Sequence, residues 1–287
     1  MLMTAVGEAD MRRAANDFYE KGFCILKNHL DARLLDEVEA DIGAIFHERA
    51  LAAGLSPSKP TTYAELSELI VALKQKDQPA YLQAAKACNH LASLSRLCVS
   101  KELMDAVSGL GLRVPTLATR TVLHFMADTL DIEGGYLKTP AHQDFRSVQG
   151  SLNCVVSWTP LAAVTSNDYP LQVAVGSHKL GLLPSQPHVF GHELSVEENG
   201  DFIFEDVILE RRDLLLFSSL LVHRTGEKGG KQVRTAASFR YNDAVEPTYV
   251  GRGLPIPYIY KADMELRTPD FPTPHDVAEM IKENSAS

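Results

Sequence analysis

His142-Gln143-Asp144, His223 and Arg234 are the residues of this chain whose types and spacing best suit chemistry. Two histidines and one carboxylate on one face of a metal ion leave coordination positions open, the arrangement used by non-haem Fe(II) oxygenases. Arg234 follows His223 by eleven residues. A guanidinium there can grip the far carboxylate of a 2-oxoacid with both arms. This chemistry requires the three segments to meet in space.

A His-x-Asp pair carries little weight alone. The chain holds 10 histidines and 37 acidic residues in 287, a composition in which about one such match arises by chance. Two occur, and context separates them. His29-Leu30-Asp31 sits between a short apolar strand and an amphipathic helix, where Asp31 suits the helix N-cap. His142-Gln143-Asp144 follows the loop 131–140 at the mouth of a strand-rich region. Side chains two apart in an extended segment share a face, so His142 and Asp144 are expected to address one ion while Gln143 points away or bonds a neighbour.

His223 ends an apolar run that starts after Asp213. Taken alone it reads as a core histidine; Arg234 is what singles it out. Over 233–241, alternation puts Arg234, Ala236, Ser238 and Arg240 on one face, and Val233, Thr235, Ala237, Phe239 and Tyr241 on the other. Inside a barrel, the first face makes a cavity for a dicarboxylate. Arg240 there either meets an anionic substrate group or pairs with a buried carboxylate, with Ser238 beside it.

The elements that must position these residues fall into two textures. Helical periodicity marks 8–20, 32–54, 62–75 and 78–95, with a strand at 23–27. From about 117, short β-rich runs at 121–125, 152–158, 171–175, 202–209, 214–217 and 233–241 alternate with turn residues. That pattern predicts a sandwich or barrel. The tail from 244 is Pro-rich and is expected to wrap the surface, with a helix near 275–284. The whole of 1–287 reads as one domain: a helix-rich part over 1–116 packs on a β core over about 117–243.

Composition narrows the function classes. Lys and Arg number 28 against 37 acids, a net charge of −9, which argues against non-specific binding to nucleic acid or anionic membrane. A local basic pocket for a small anionic substrate is compatible with that total. Cys24, Cys88, Cys98 and Cys154 are scattered and form no CxxC pair, so they read as buried thiols in a reducing compartment. No signal-peptide stretch or membrane-length apolar run occurs, and the expectation is a cytoplasmic protein.

Several segments, in order, resemble the phytanoyl-CoA dioxygenase family of Fe(II)- and 2-oxoglutarate-dependent oxygenases. They are Gly22 to Asp31, His142-Gln143-Asp144, Ser157-Trp158-Thr159-Pro160-Leu161, Gly176-Ser177-His178, and Asp213 to Phe217 with His223, Thr225, Gly226 and Arg234. The resemblance implies a mainly β fold with flanking helices, built on a double-stranded β-helix (a cupin-like jelly roll). It implies His142, Asp144 and His223 as iron ligands, and Arg234 with the Thr225 hydroxyl on the C5 carboxylate of 2-oxoglutarate. Trp158 lines the co-substrate pocket or simply packs the core. His124, on the strand before the His-Gln-Asp segment, is a further pocket candidate; His178 reads as holding a turn.

The implied reaction uses O2 to hydroxylate an aliphatic C–H of a small metabolite or natural-product intermediate, releasing succinate and CO2. Asp144 stands where related halogenases carry a small residue, which favours hydroxylation. Desaturation, epimerisation or ring closure can use the same ligands. A non-catalytic jelly-roll binding protein and a zinc or manganese enzyme on a cupin-like barrel are the rivals. Neither needs the full set of triad and arginine. Asn167-Asp168-Tyr169-Pro170, Val175 before Gly176, and Arg212 before Asp213 depart from the family pattern and bear on loop shape.

Overall fold

The computed structural model describes residues 7–132, 138–189, 191–253 and 271–285. The expected loop over 131–140 and the tail from 244 therefore fall partly outside the described residues.

The first part of the chain runs α1 (Glu8–Lys21), β1 (Phe23–Leu26), α2 (Ala32–Ala52), α3 (Tyr63–Lys76), α4 (Gln78–Cys88), α5 (Ala92–Cys98) and α6 (Lys101–Gly109). Local chemistry starts these helices. The Asp31 carboxylate accepts from the Arg33 N–H, Thr62 and Glu65 form a capping box, and Ser100 caps α6. Along α2, Leu35, Val38, Ile42, Phe46 and Ala50 are fully buried, the apolar stripe at helical spacing. Gly22 ends α1 at φ 88°, and a Cβ there would lie 2.6 Å from His178 Nδ1. Only glycine fits that left-handed turn against that side chain.

The expected helix over 78–95 is two helices. At the break, Asn89 turns its side chain to the sheet, and its Oδ1 accepts from the Leu123 N–H at 2.6 Å. Helix α6 has a buried face of Leu103, Ala106 and Val107 that the periodicity reading passed over.

The second part contains β2 (Pro115–Leu117), β3 (Val122–Met126), α7 (Phe145–Val148), β4 (Val155–Pro160), β5 (Leu171–Val173), β6 (Ser185–His188), β7 (Gly191–Leu194), α8 (Val196–Asn199), β8 (Glu205–Val207), β9 (Leu214–Ser218), β10 (His223–Thr225) and β11 (Arg234–Asp243). Helices α9 (Pro247–Gly251) and α10 (Pro274–Ser285) follow. All strand pairs are antiparallel. The larger sheet has the order β1-β9-β4-β11-β2, with β3 also paired to β11; the smaller is β10-β5-β8; β6 and β7 form a hairpin. This is a jelly-roll core with flanking helices.

Strand β11 separates two environments. Val233, Ala237, Phe239 and Tyr241 join a core with the buried faces of α2 to α6. Ala236 instead joins Trp158, Val173, Leu215 and Phe217 between the sheets. The alternation read from 233–241 is thus the division between the helix-facing core and the barrel interior. Register places Arg234 opposite Met126, Ala236 opposite His124, and Ser238 opposite both Val122 and Trp158. Among the described residues no helix is long and apolar enough to cross a membrane. All four cysteines are free and buried.

Candidate metal centre

His142 and His223 come together through the backbone. Each N–H donates to the other's carbonyl, at 3.0 and 3.1 Å, as an isolated antiparallel bridge. Their rings lie 4.2 Å apart between centroids. His142 Nδ1 bonds the Pro140 carbonyl at 2.8 Å, and His223 Nδ1 bonds the Leu221 carbonyl at 3.0 Å. A carbonyl can only accept, so each Nδ1 carries a proton, which leaves Nε2 as the ring nitrogen available to a metal. His142 Nε2 lies 3.6 Å from Asp144 Oδ1. One donor atom from each of His142, Asp144 and His223 falls within 4.8 Å of the others.

Asp144 reaches this position by a different route from the extended alternation expected. Its backbone is helical (φ −63°, ψ −25°), and it opens the short helix α7. The Phe145 N–H donates to the Ser219 carbonyl, which ties that turn to the segment after β9. Gln143, between the two candidate ligands, is buried with its amide satisfied. It donates to the Gly181 and Leu220 carbonyls and accepts from the Leu183 N–H. His192 Nε2 lies 3.2 Å from the Gln143 carbonyl. The outward residue of the His-x-Asp segment therefore anchors it to two neighbouring loops.

Burial sets the protonation states. His223 is pushed down to about 3 by burial and by His142 beside it, so it is neutral at pH 7. Burial alone would raise the Asp144 carboxyl, but Arg240 and the two histidines hold it well below the usual range. A neutral His223 imidazole and an ionised Asp144 carboxylate are protonation states a divalent metal needs.

A cavity of about 520 Å³ opens over these ligands, lined also by His124, Trp158, Thr225, Arg234, Ser238 and Arg240. Arg234 sits at the start of β11, 8 % exposed. Its guanidinium lies over Trp158, 5.3 Å from the ring centroid, and Nη2 touches the Met126 sulfur. Its Nε has no hydrogen-bond partner, and no carboxylate among the described residues forms a salt bridge with it. Burial lowers it to about 10, still cationic at neutral pH. A buried unpaired guanidinium costs free energy, and a ligand carboxylate would supply the missing partner.

The other expected residues also border this space. The Thr225 hydroxyl accepts from the Thr139 N–H at 3.1 Å. Trp158 both joins the inter-sheet core and lines the cavity, so its two readings coexist. Burial, with Arg234 and Arg240 nearby, pushes His124 down to about 3. Arg240 pairs with Asp144, taking the second of its two alternatives. His178 lies outside the cavity lining, where Nε2 bonds the Tyr19 carbonyl at 3.0 Å and fastens the end of α1. The sequence reading missed Met126 against Arg234, Phe217 against His223 and the carbonyls of Pro140 and Leu221. Strand register and loop path bring these groups in, and no local motif marks either.

The family model for phytanoyl-CoA dioxygenase matches residues 18–236. The chain belongs to the phytanoyl-CoA dioxygenase family. No curated protein matches it. Among solved structures it is similar to the epimerase SnoN in complex with Fe3+, alpha ketoglutarate and nogalamycin RO, at 17 % identity and a TM-score of 0.59, over 83 % of this chain and 85 % of that one. The non-heme monooxygenase ThoJ is 19 % identical with a TM-score of 0.55, over 80 % and 77 %. EctD from S. alaskensis with 2-oxoglutarate and 5-hydroxyectoine is 16 % identical with a TM-score of 0.54, over 85 % and 80 %. At these identities the likeness is one of fold. Iron and 2-oxoglutarate are the cofactors of this family, and the residues present fit both: an N,N,O donor set for the metal and, for a carboxylate, a buried guanidinium that none of the described carboxylates pairs.

Proposed function

We propose that this protein is an Fe(II)- and 2-oxoglutarate-dependent oxygenase that hydroxylates an aliphatic C–H bond of a small metabolite. The observation that carries this reading is the pairing, in one cavity, of the His142, Asp144 and His223 donor atoms with the buried Arg234 guanidinium, whose Nε is unsatisfied and which meets no carboxylate among the described residues. His142, Asp144 and His223 would hold the iron. Arg234 and Thr225 would receive the far carboxylate of 2-oxoglutarate, with Trp158 and His124 walling its pocket. Bound iron and 2-oxoglutarate supply the oxidising chemistry, which couples decarboxylation of the oxoacid to oxidation of the substrate by O2 with release of succinate and CO2.

The chain's own part is placement and exclusion. The two carbonyl-bound Nδ1–H groups fix both imidazoles, so the ligand geometry exists before the metal arrives. The apolar ring of Phe217 packs edge-on to His223, 4.8 Å between centroids, and keeps water from that side. Among the described residues, Arg120, Arg224, Arg234 and Arg240 border the cavity against one carboxylate, Asp144. That balance, in a chain of net charge −9, favours a small substrate bearing an anionic group.

Epimerisation is a second reading, since SnoN carries out that reaction on the same fold. A non-catalytic binding protein would not need all three candidate ligands and a buried unpaired arginine together. The test is succinate formation from 2-oxoglutarate by anaerobically reconstituted Fe(II) protein on exposure to O2. Slow release lost in His142→Ala and in Arg234→Ala supports the oxygenase. No succinate, together with no visible band on adding 2-oxoglutarate to the anaerobic Fe(II) protein, overturns it.

A further inference from the structure

Asp144 is gripped by a second arginine of β11. Arg240 Nε donates to Oδ2 at 3.1 Å, and Nη2 straddles the carboxylate, 3.1 Å from Oδ1 and 3.0 Å from Oδ2, so the guanidinium fork covers both oxygens. The side chains are 15 % and 3 % exposed, so water screens the pair little. The fork is itself fixed. The Arg240 carbonyl accepts from the Ala118 N–H at 2.8 Å, and the residue pairs with Val156 in the sheet. Nη1 also approaches Ser238 Oγ at 3.4 Å.

From this geometry we infer that Arg240 is a positioning residue that makes Asp144 a one-oxygen metal ligand. The inference rests on the metal-binding reading above. Each carboxylate oxygen has two lone-pair directions; two Arg240 nitrogens approach Oδ2 and only Nη2 approaches Oδ1. Oδ1 is the oxygen beside His142 Nε2, and its second lone pair remains for the ion. Chelation by both oxygens would require the carboxylate to present the edge that the guanidinium occupies. A one-oxygen carboxylate leaves one more coordination position open for co-substrate and O2 than a chelating one.

The test uses Co(II) as probe in the full-length protein, with affinity and visible spectrum as readouts. Arg240→Ala should weaken Co(II) binding by about 10- to 100-fold, the range for partners that orient metal ligands. It should also change the Co(II) spectrum as the ligand count changes. Arg240→Lys keeps the charge but offers a point donor, so it should fall between the two. A residue that only supports the fold would lower the melting temperature of the metal-free protein and leave affinity and spectrum unchanged. That outcome in the folded Arg240→Lys or Arg240→Ala protein overturns the inference. Failure of the wild type to bind Co(II) would instead remove the metal-binding reading itself.

Discussion

The chain contains the same three-residue pattern twice, at His29-Leu30-Asp31 and His142-Gln143-Asp144, and the two have opposite fates. In both, an arginine fork holds the aspartate. Arg33 reaches Asp31 from two residues away, with side chains 84 % and 17 % exposed. Arg240 reaches Asp144 across the β core, from 96 residues away, with both side chains largely buried. In both, the histidine meets a backbone carbonyl, Glu102 for His29 and Pro140 for His142. A second histidine makes the difference. His223 is bridged to His142 through the backbone, whereas His29 has no such counterpart among the described residues. One pattern caps a helix and the other joins a group that could hold a metal ion, because a ligand set needs several strands to converge.

That contrast can be broken most sharply at the triad. Asp144→Ala or His142→Ala should lower Co(II) or Fe(II) affinity by more than about 100-fold, beyond the effect of outer partners, read by titration and by loss of succinate release. Asp31→Ala and His29→Ala should leave both readouts at wild-type values. A metal affinity that follows Asp31 instead would reverse the assignment.

The next largest effect is at Arg234. Arg234→Met removes the cation that would meet the co-substrate carboxylate, and should weaken 2-oxoglutarate by about 2 kcal/mol or more, roughly 30-fold. The same variant should stabilise the ligand-free protein by about 1 kcal/mol, because it deletes a buried charge that no carboxylate among the described residues pairs. Calorimetric titration and urea unfolding check the two signs together.

Acidification should act on the buried region first. His223 and His124 are pushed down to about 3, and His192 to about 4, chiefly by burial. Each folded value lies below the unfolded one near 6.5, so the unfolded chain binds more protons in that window. Stability is therefore full above about pH 6.5 and falls as pH drops toward 4, by about 1.4 kcal/mol per pH unit for each histidine that stays neutral. Asp144, also held low, adds its loss only below its ordinary value of 3.8. Urea midpoints of the metal-free protein between pH 7.5 and 5 measure the slope, and His192→Gln should flatten it.

The smallest effects lie at the exposed pattern. Asp31→Ala removes a helix cap and should cost about 1 kcal/mol, visible as a shifted urea midpoint with unchanged kinetics. Arg33→Ala, at a solvent-exposed pair, should leave that midpoint in place.

Most of this division was legible in the sequence. Alternation over 233–241 separates residues facing the helices from those facing the cavity, because a strand has a period of two and β11 is buried on both sides. Asp31 as a cap is equally local, set by the residue type and the apolar stripe that follows. The ordered segments around His142, His223 and Arg234 were enough to name the family. Local pattern misled at Asp144, which opens a helical turn, and at 78–95, where Asn89 leaves the helix for the sheet. In both places a tertiary hydrogen bond outweighs the local periodicity, and a window along the chain does not see the partner.

Sequence alone thus determined the candidate ligands, the two-faced strand and the family, since these depend on residue type and short spacing. Tertiary structure alone decided which nitrogen each histidine presents, that Arg234 is buried with no carboxylate paired to it among the described residues, and that Arg240 spends its fork on Asp144. Those outcomes depend on burial and on partners up to 108 residues away. The protonation and pairing of a buried group are set by the surfaces that close around it, and only the folded chain brings those surfaces together.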